Sequence, residues 1–217
     1  MFTGIIEALG QVKMLARKGA DMSIAIQSVK LNMADVALGD SIAVNGVCLT
    51  VTKKSADGFE ADISAESIRH TNFASMALGS SVNLEKALTL STRLGGHMVS
   101  GHVDGIGSIV EVRAEGRSLR YRVRCHAELM RYIAAKGSIT IDGVSLTVTG
   151  LDADGFYLNI VPHTASNTII PLYSKGSSVH IEVDVMARYA ERLLQTKNDH
   201  SDEKSTLDRA FLAQHGY

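Results

Sequence analysis

The stretch "VNGVCLTVT", residues 44–52, is repeated 97 residues later as "IDGVSLTVT", residues 141–149. Six of the nine positions are identical, and the polar changes turn an asparagine into an aspartate and a cysteine into a serine. Alternating apolar and polar residues, rich in Val and Thr, are typical of a β-strand, and Asn-Gly or Asp-Gly is the signal of a two-residue hairpin turn. The sequence therefore predicts the same β-hairpin in two places.

The repeat continues along the chain at a constant offset. The segment "SIAVNGVCLTVT" (41–52) matches "SITIDGVSLTVT" (138–149) at eight of twelve positions, and "GSSVNLE" (79–85) matches "GSSVHIE" (176–182) at five of seven. No insertion is needed between these matches. A solenoid would need several shorter units, so two long copies predict two homologous domains.

The domain bounds follow from the extent of the repeat. We expect one domain over residues 1–96 and a second over 97–184, with the seam near the glycine-bearing polar stretch 90–98. Within each copy, short β-like runs are separated by Gly, Asp and Ser. Two segments in equivalent places look helical, namely "LNMADVAL" (31–38) and "HAELMRYIAAK" (126–136).

About six strands and a short helix per copy predict an all-β fold with short helices. A small closed β-barrel fits best, because closure removes exposed sheet edges. A two-sheet sandwich is the alternative that periodicity leaves open.

The repeat ends at Asp184, and the period then changes to that of a helix. An apolar stripe predicts a C-terminal helix over residues 185–196, which is either covered by the two domains or forms an oligomer contact. The polar residues 197–217 are predicted to be disordered. The stripe consists of Val185, Met186, Tyr189, Leu193 and Leu194.

The composition excludes several classes of partner. The 217 residues carry a formal net charge of −1, with no long run of Lys or Arg, which argues against nucleic acid and acidic membranes because both need a concentrated positive field. No apolar run approaches the roughly 18–20 residues of a membrane span. The start "MFTGIIEALG" lacks the charged segment of a signal peptide. The two cysteines, Cys48 and Cys125, make no disulfide framework, so we expect a reducing cytoplasm.

Two equivalent strands carry small polar side chains. Cys48 and Thr50 point to one face of the first copy's strand, because strand side chains alternate with a period of two. Ser145 and Thr147 occupy the same positions in the second copy. Each face could bind the same flat, polar ligand, and the alternative is simply a small side chain within a strand.

The stretch "GGHMVSGHVDG", residues 95–105, contains two histidines five residues apart. Because imidazole titrates near neutral pH, we interpret His102 as a proton-transfer group, and a histidine that caps a loop is the alternative. A metal site is disfavoured, since neither cysteine nor a regular carboxylate spacing accompanies the histidines. The glycine spacing is not that of a dinucleotide or phosphate loop.

The second copy carries polar groups that the first lacks. Asp184 corresponds to Ala87, and His102 corresponds to Ile5. Asp184 could equally cap the helix that follows. We hypothesise that both copies bind a ligand, and that His102, Ser145 and Asp184 give the second copy most of the proton chemistry.

The motifs "MFTGII", "NGVCLTVT", "DGVSLTVT" and "GGHMVSGHVDG" together resemble riboflavin synthases of the trimeric, two-barrel type, over Met1 to about Gln195. The resemblance implies two six-stranded Greek-key β-barrels. It also implies conversion of two molecules of 6,7-dimethyl-8-ribityllumazine into riboflavin and 5-amino-6-ribitylaminouracil, without a cofactor or metal. One substrate donates a four-carbon unit and the other accepts it. A duplicated pocket suits a reaction between two copies of one molecule.

The resemblance also implies site residues. In the first barrel these are Gly4, Ile5, Ile6, Cys48, Leu49, Thr50, Asp62, Ile63, Ser64, Ala65, Glu66 and Ser67. In the second barrel they are Gly101, His102, Val103, Ser145, Leu146, Thr147, Asn159, Ile160, Val161, Pro162, His163 and Thr164.

The C7 methyl group of the lumazine is acidic, because its carbanion delocalises into the ring. We assign removal of that proton to His102, with Ser145 and Asp184 polarising or orienting. Cys48 and Thr50 lie in the opposing pocket, and Phe2 matches an aromatic residue that is important for activity in the family.

A homotrimer is implied as well, gathered by the C-terminal helix. Its working site pairs the first barrel of one subunit with the second barrel of another, and Lys136 reaches the ligand of a neighbouring chain. Association with lumazine synthase is left open.

Two rival functions use similar barrels. Non-catalytic relatives hold one lumazine or flavin as a fluorescent antenna, but their second-barrel motifs tend to be degraded, whereas "SGHVDG" and "VSLTVT" are intact here. A ferredoxin-reductase-like flavin barrel would need a nicotinamide domain, for which the chain has no room. The enzyme is therefore favoured.

Overall fold

A computed structural model describes the backbone of residues 1–201 and the side chains of residues 1–195. It contains two closed, six-stranded antiparallel barrels, so the barrel prediction is confirmed and the sandwich is not formed. The first barrel consists of β1 Ala8–Lys18, β2 Asp21–Gln27, β3 Ser41–Val44, β4 Val47–Ser55, β5 Gly58–Ile63 and β6 Ser81–Lys86. The second consists of β7 Gly105–Glu115, β8 Ser118–Arg124, β9 Ser138–Ile141, β10 Val144–Leu151, β11 Gly155–Ile160 and β12 Ser178–Val183.

Both barrels close in the same order. Neighbouring strands run β1-β2-β5-β4-β3-β6 in the first, and β7-β8-β11-β10-β9-β12 in the second, a Greek-key arrangement. Side chains alternate as the pattern predicts: in β4, Val47, Leu49 and Val51 are buried, while Cys48 and Thr50 face outward. The inward side chains of each barrel form its own core.

Both predicted hairpin turns are present, one in each copy of the repeat. Asn45 and Gly46 have φ values of 47° and 79°, and Asp142 and Gly143 have 44° and 79°. Two successive left-handed residues form the turn type that matches strand twist, which explains the Asn-Gly and Asp-Gly pairs.

The helix predictions within the domains are only partly right. Residues 31–38 form turns rather than a helix, so that prediction was wrong. Asn32 and Asp40 accept the backbone N–H groups of Ala34 and Ala37, and such local side-chain bonds compete with helix formation. Of the second predicted segment, residues 126–136, only α2, Ala127–Met130, is an α-helix.

Two short helices that the sequence reasoning did not predict follow β5 and β11. These are α1, Ala65–His70, and α3, Pro162–Asn167. The side chain of Ser64 caps α1 by accepting from Ser67 N, and Pro162 provides the rigid first turn of α3.

The C-terminal helix, α4, spans Val185–Ser201, whereas the predicted helix ended at residue 196. Four side chains of its predicted apolar stripe are largely exposed, namely Met186, Tyr189, Leu193 and Leu194. The remainder of the predicted disordered tail, 202–217, lies outside the described residues. Among the helices of the described part, none combines the length and the apolar character of a membrane span.

Candidate functional site

The outward faces of β4 and β10 carry the small polar side chains predicted to contact a ligand. Cys48 is half-buried and Thr50 exposed on β4, and Ser145 and Thr147 repeat this on β10. The faces are therefore equivalent in position and different in chemistry, with a thiol on one and a hydroxyl on the other.

Each face is covered by a segment that belongs to the other half of the chain. We call residues 3–6 the first strap and residues 100–103 the second strap. In the first strap, Gly4 O accepts a 2.7 Å bond from Ser145 N on the second barrel. In the second strap, Gly101 O accepts a 2.9 Å bond from Cys48 N on the first barrel.

The strap glycines are required by space and by backbone conformation. Gly4 and Gly101 have φ values of +76° and +80°, in the left-handed region that favours glycine. A Cβ on Gly4 would lie 2.6 Å from Ser145 Cβ, and one on Gly101 would lie 2.7 Å from Cys48 Cβ. Only a glycine lets each strap lie flat on its strand.

This exchange corrects the expected grouping of the pocket residues. The resemblance placed Gly4, Ile5 and Ile6 with Cys48, but the structure places this strap on Ser145, and Ile6 packs against the second core. Val103 likewise packs against the first core. The physical reason is an antiparallel bridge between Phe2 and Val99, from which each segment continues onto the opposite barrel.

Phe2, expected among the catalytic residues, is 0% exposed. It packs with Ala43 and Val99, and Cys48 borders the same cluster. Its ring would lie 2.8 Å from a Cβ on Gly101. Phe2 therefore packs against the second strap, and its role in activity stays a prediction.

Two glutamates anchor the straps, and the sequence analysis missed both. Glu85 on β6 accepts bonds from Thr3 and Gly4, and Glu182 on β12 accepts bonds from Ser100 and Gly101. Burial raises the pKa of both carboxyls, and the bonds from the straps oppose this rise. The repeat could have indicated these two residues, because "NLE" (83–85) and "HIE" (180–182) both end in a glutamate.

Ser145 contacts a histidine, but it is His97 rather than His102. His97 Nδ1 lies 2.7 Å from Ser145 Oγ. Burial lowers the pKa of His97, against a smaller opposite effect of Asp184, so the imidazole is neutral near pH 7. Its Nε2 is buried and has no hydrogen-bond partner among the described residues.

His102 lies on the second strap, which contacts the Cys48 face, and its side chain is exposed. The expected constellation of His102, Ser145 and Asp184 is therefore not assembled as such. His97 accompanies Ser145, and it has no counterpart in the first copy because the offset of 97 leads to no residue. That missing counterpart was the signal for its special role.

The other expected residues lie where β5 and β11 end. Ile63 and Ile160 are buried in the cores, so only their backbones could meet a ligand, whereas Asp62 and Asn159 face outward. Asp62 accepts from Ser23 and Lys18, and its pKa is lowered chiefly by the Ser23 bond. The remaining expected residues belong to α1, α3 and their first turns: Ser64, Ala65, Glu66, Ser67, Val161, Pro162, His163 and Thr164.

Lys136 is exposed and has a φ of +66°, where the first copy has Gly39 at +91°. Left-handed backbone is strained for a lysine. A glycine would adopt this backbone conformation without strain, so the lysine points to a function of its side chain.

A cavity of about 680 Å³ lies beside the first strap, between Ile5, Ser41, Lys86 and Arg93. It does not include Cys48, Thr50, Ser145 or Thr147. Thr50 and Thr147 are exposed, whereas Cys48 and Ser145 are half-buried beside the straps. Within the described residues, no group of three His, Cys, Asp or Glu side chains is placed to hold a metal ion.

Comparisons with known proteins match this architecture. A family model described as the lumazine binding domain matches residues 3–87 and 100–184. The chain is 45% identical over 217 residues to a riboflavin synthase of Photobacterium phosphoreum, covering 100% of this chain and 99% of the relative. It is 41% identical to a riboflavin synthase of Bacillus subtilis (strain 168), covering 100% of both.

A solved structure of LumP complexed with riboflavin has a similar fold. The TM-score is 0.78 at 27% identity, covering 84% of this chain and 99% of that chain. LumP has also been solved with 6,7-dimethyl-8-(1'-D-ribityl) lumazine, with a TM-score of 0.76 at 26% identity, covering 84% of this chain and 99% of that chain.

Proposed function

Since this chain belongs to the riboflavin synthase family, with a lumazine-binding domain in each half, we propose that it is itself a riboflavin synthase. The reaction is the cofactor-free dismutation of two 6,7-dimethyl-8-ribityllumazine molecules. One gives up a four-carbon unit and becomes 5-amino-6-ribitylaminouracil, and the other accepts it and becomes riboflavin.

The observation that carries the proposal is the pair of equivalent but chemically different faces. One presents Cys48 and Thr50, the other Ser145 and Thr147, and each is bordered by a glycine strap. Two faces at equivalent strand positions, each with its own strap, suit two copies of one substrate. Their different side chains allow one ligand to act as donor and the other as acceptor, and holding both rings in place replaces a rare encounter in solution.

The two histidines divide the proposed proton chemistry between the faces. His102, on the strap over Cys48, takes the C7 methyl proton of the lumazine in that pocket. On the other face, neutral His97 bonds to Ser145 Oγ, and Asp184 lies close enough to affect the pKa of His97. We assign to Ser145, His97 and Asp184 the orientation and polarisation of the second lumazine.

The working site would be completed by another chain. Each face keeps an exposed threonine, Thr50 or Thr147, beside its strap, and we propose that the first barrel of one subunit meets the second barrel of the next in a homotrimer. The exposed apolar face of α4 and the exposed Lys136 support this assembly. Association with lumazine synthase remains a proposal based on the family alone. A cytoplasmic location is proposed on the two unpaired cysteines.

A non-catalytic lumazine- or flavin-binding protein is the second candidate, because LumP shares the fold. The enzyme is favoured by the higher identity to riboflavin synthases over the whole chain and by the second face, where Ser145 keeps its histidine partner.

The test is incubation of the purified protein with 6,7-dimethyl-8-ribityllumazine alone. Riboflavin absorbance should grow with no added cofactor, with one riboflavin formed for two substrates consumed. A titration with riboflavin on the same sample counts the pockets. No riboflavin formation together with one bound ligand per chain would establish the antenna function instead.

A further inference from the structure

Glu85 and Glu182 are equivalent carboxylates that lie outside both ligand faces. Each is 4% exposed. Glu85 accepts bonds from Thr3 N at 2.6 Å, Thr3 Oγ1 at 2.7 Å and Gly4 N at 2.9 Å. Glu182 accepts from Ser100 N at 2.6 Å, Ser100 Oγ at 2.7 Å and Gly101 N at 3.1 Å. Each carboxylate therefore holds one strap with three hydrogen bonds.

The strap and its anchor belong to different pockets. Glu85 is part of β6 in the first barrel, but the strap that it holds lies on Ser145 of the second barrel. Glu182 is part of β12 in the second barrel, but its strap lies on Cys48 of the first. The position of each pocket wall is thus set by a side chain of the opposite barrel.

A carboxylate is the group that this geometry requires. Two of the three donors at each site are backbone N–H groups, which cost free energy if they are buried without a partner. Both carboxylate oxygens accept, whereas a glutamine offers one acceptor and turns an N–H₂ group toward a donor. A Glu→Gln change should therefore loosen the strap while keeping the size of the side chain.

We propose that Glu85 and Glu182 are positioning residues that act across the barrel boundary. Glu85 sets the affinity of the pocket at Ser145, and Glu182 sets the affinity of the pocket at Cys48. This inference rests on the proposed function, because it needs one lumazine-type ligand on each face. A purely structural role predicts a different result, since each change would then weaken its own barrel or both barrels alike.

The experiment uses riboflavin as the probe and full-length chains with one pocket blocked. Thr50→Arg blocks the face at Cys48, and Thr147→Arg blocks the face at Ser145, because both threonines are exposed on those faces. Glu85→Gln should raise the riboflavin Kd about tenfold in the Thr50→Arg background and by less than about twofold in the other. Glu182→Gln should show the reverse pattern.

Controls separate positioning from stability. Glu60→Gln, on β5 and bonded to Lys53, should change neither pocket. Thermal unfolding of every variant is measured in parallel. If the glutamine variants do not fold, Thr3→Ala and Ser100→Ala are used instead. Each removes one bond to the anchoring glutamate and one bond within the strap, from Ile5 N or His102 N, and should give the same crossed pattern, about threefold in Kd.

The outcomes are distinguishable. Three results would overturn the inference and leave the proposed function intact. These are a loss of riboflavin affinity in the anchor's own barrel, an equal loss in both pockets, and a lower Tm without any change in affinity. Failure of both single-pocket backgrounds to bind riboflavin, with the unblocked chain also failing, would overturn the proposed function and with it this inference.

Discussion

Asn45 and Asp142 occupy the first position of the two hairpin turns, and their side chains accept the backbone N–H groups of Asn83 and His180. Across the boundary, Asn83 Nδ2 donates to Asp142 O and His180 Nδ1 donates to Asn45 O. The two barrels are thus joined by one contact made twice, related by an approximate twofold axis. Asp142 additionally accepts from Tyr173 through its second carboxylate oxygen.

His180 makes hydrogen bonds equivalent to those of Asn83, its counterpart in the first copy. Asn83 Oδ1 accepts from Ile169 N, and at the equivalent place His180 Nε2 accepts from Asn72 N at 3.0 Å. Because Nε2 is an acceptor, the imidazole is neutral and carries its proton on Nδ1. Nε2 of His180 therefore accepts as Asn83 Oδ1 does, and Nδ1 of His180 donates as Asn83 Nδ2 does.

At the same scale, we expect His102 and His97 to make different contributions to turnover. His102→Ala should lower kcat roughly 10²–10⁴-fold with little change in riboflavin affinity, as expected for loss of a proton acceptor. His97→Ala removes the hydrogen bond to Ser145 and should lower kcat about tenfold. Steady-state kinetics and a riboflavin titration on each variant measure the two effects separately.

The matched control for both is His126→Ala, an exposed histidine beside α2 that should leave turnover unchanged. Equal losses of rate and affinity for His102→Ala would contradict its assignment to proton transfer.

At the scale of elements, the straps combine a left-handed glycine with close packing, and these two requirements can be separated. Gly101→Ala should cost about 1–2 kcal/mol for the backbone conformation and about 1–3 kcal/mol more for the overlap with Cys48 and Phe2. Gly176→Ala, at a φ of +95° with nothing within 4 Å, should incur only the first cost. Denaturant unfolding of both variants gives the difference. Equal destabilisation would show that the strap is not tightly packed.

The elements that the sequence predicts well are those whose cause is local. The hairpins at Asn45 and Asp142 follow from adjacent turn residues and alternating strands. The helix at 31–38 was wrong because its apolar residues, Leu31, Met33 and Val36, are buried in the barrel core by a series of turns, at a spacing that only resembled a helix.

The site was harder to predict, for a related reason. Outward faces at Cys48 and Ser145 follow from strand alternation, but the crossing of the straps depends on contacts such as Glu85 with Thr3, which are 82 residues apart. The repeat aligns Gly4 with Gly101 without telling which barrel each one covers. The bond between His97 and Ser145 was missed because it joins residues that are 48 positions apart.

For the whole molecule, the exposed apolar face of α4 predicts assembly. Replacing Leu193 and Leu194, exposed by 69% and 63%, with aspartate should convert the proposed trimer to monomers. Light scattering after size exclusion measures the mass. Turnover should fall with the mass, while riboflavin binding is largely retained because each strap lies within one chain.

The control is Gln195→Asp, an exposed polar position of α4 next to the stripe, which should leave the trimer intact. A trimer that persists with both leucines replaced would assign the assembly contact to another surface.

The crossing of the straps also has a consequence for biosynthesis on the ribosome. The wall of one pocket, residues 3–6, is made first, yet the strand that it must cover contains Ser145 and emerges much later. The wall of the other pocket emerges just after the first barrel, but its anchor, Glu182, follows Gly101 by 81 residues. Neither half of a nascent chain can therefore form a complete face with its anchored strap, because each one combines residues from both halves.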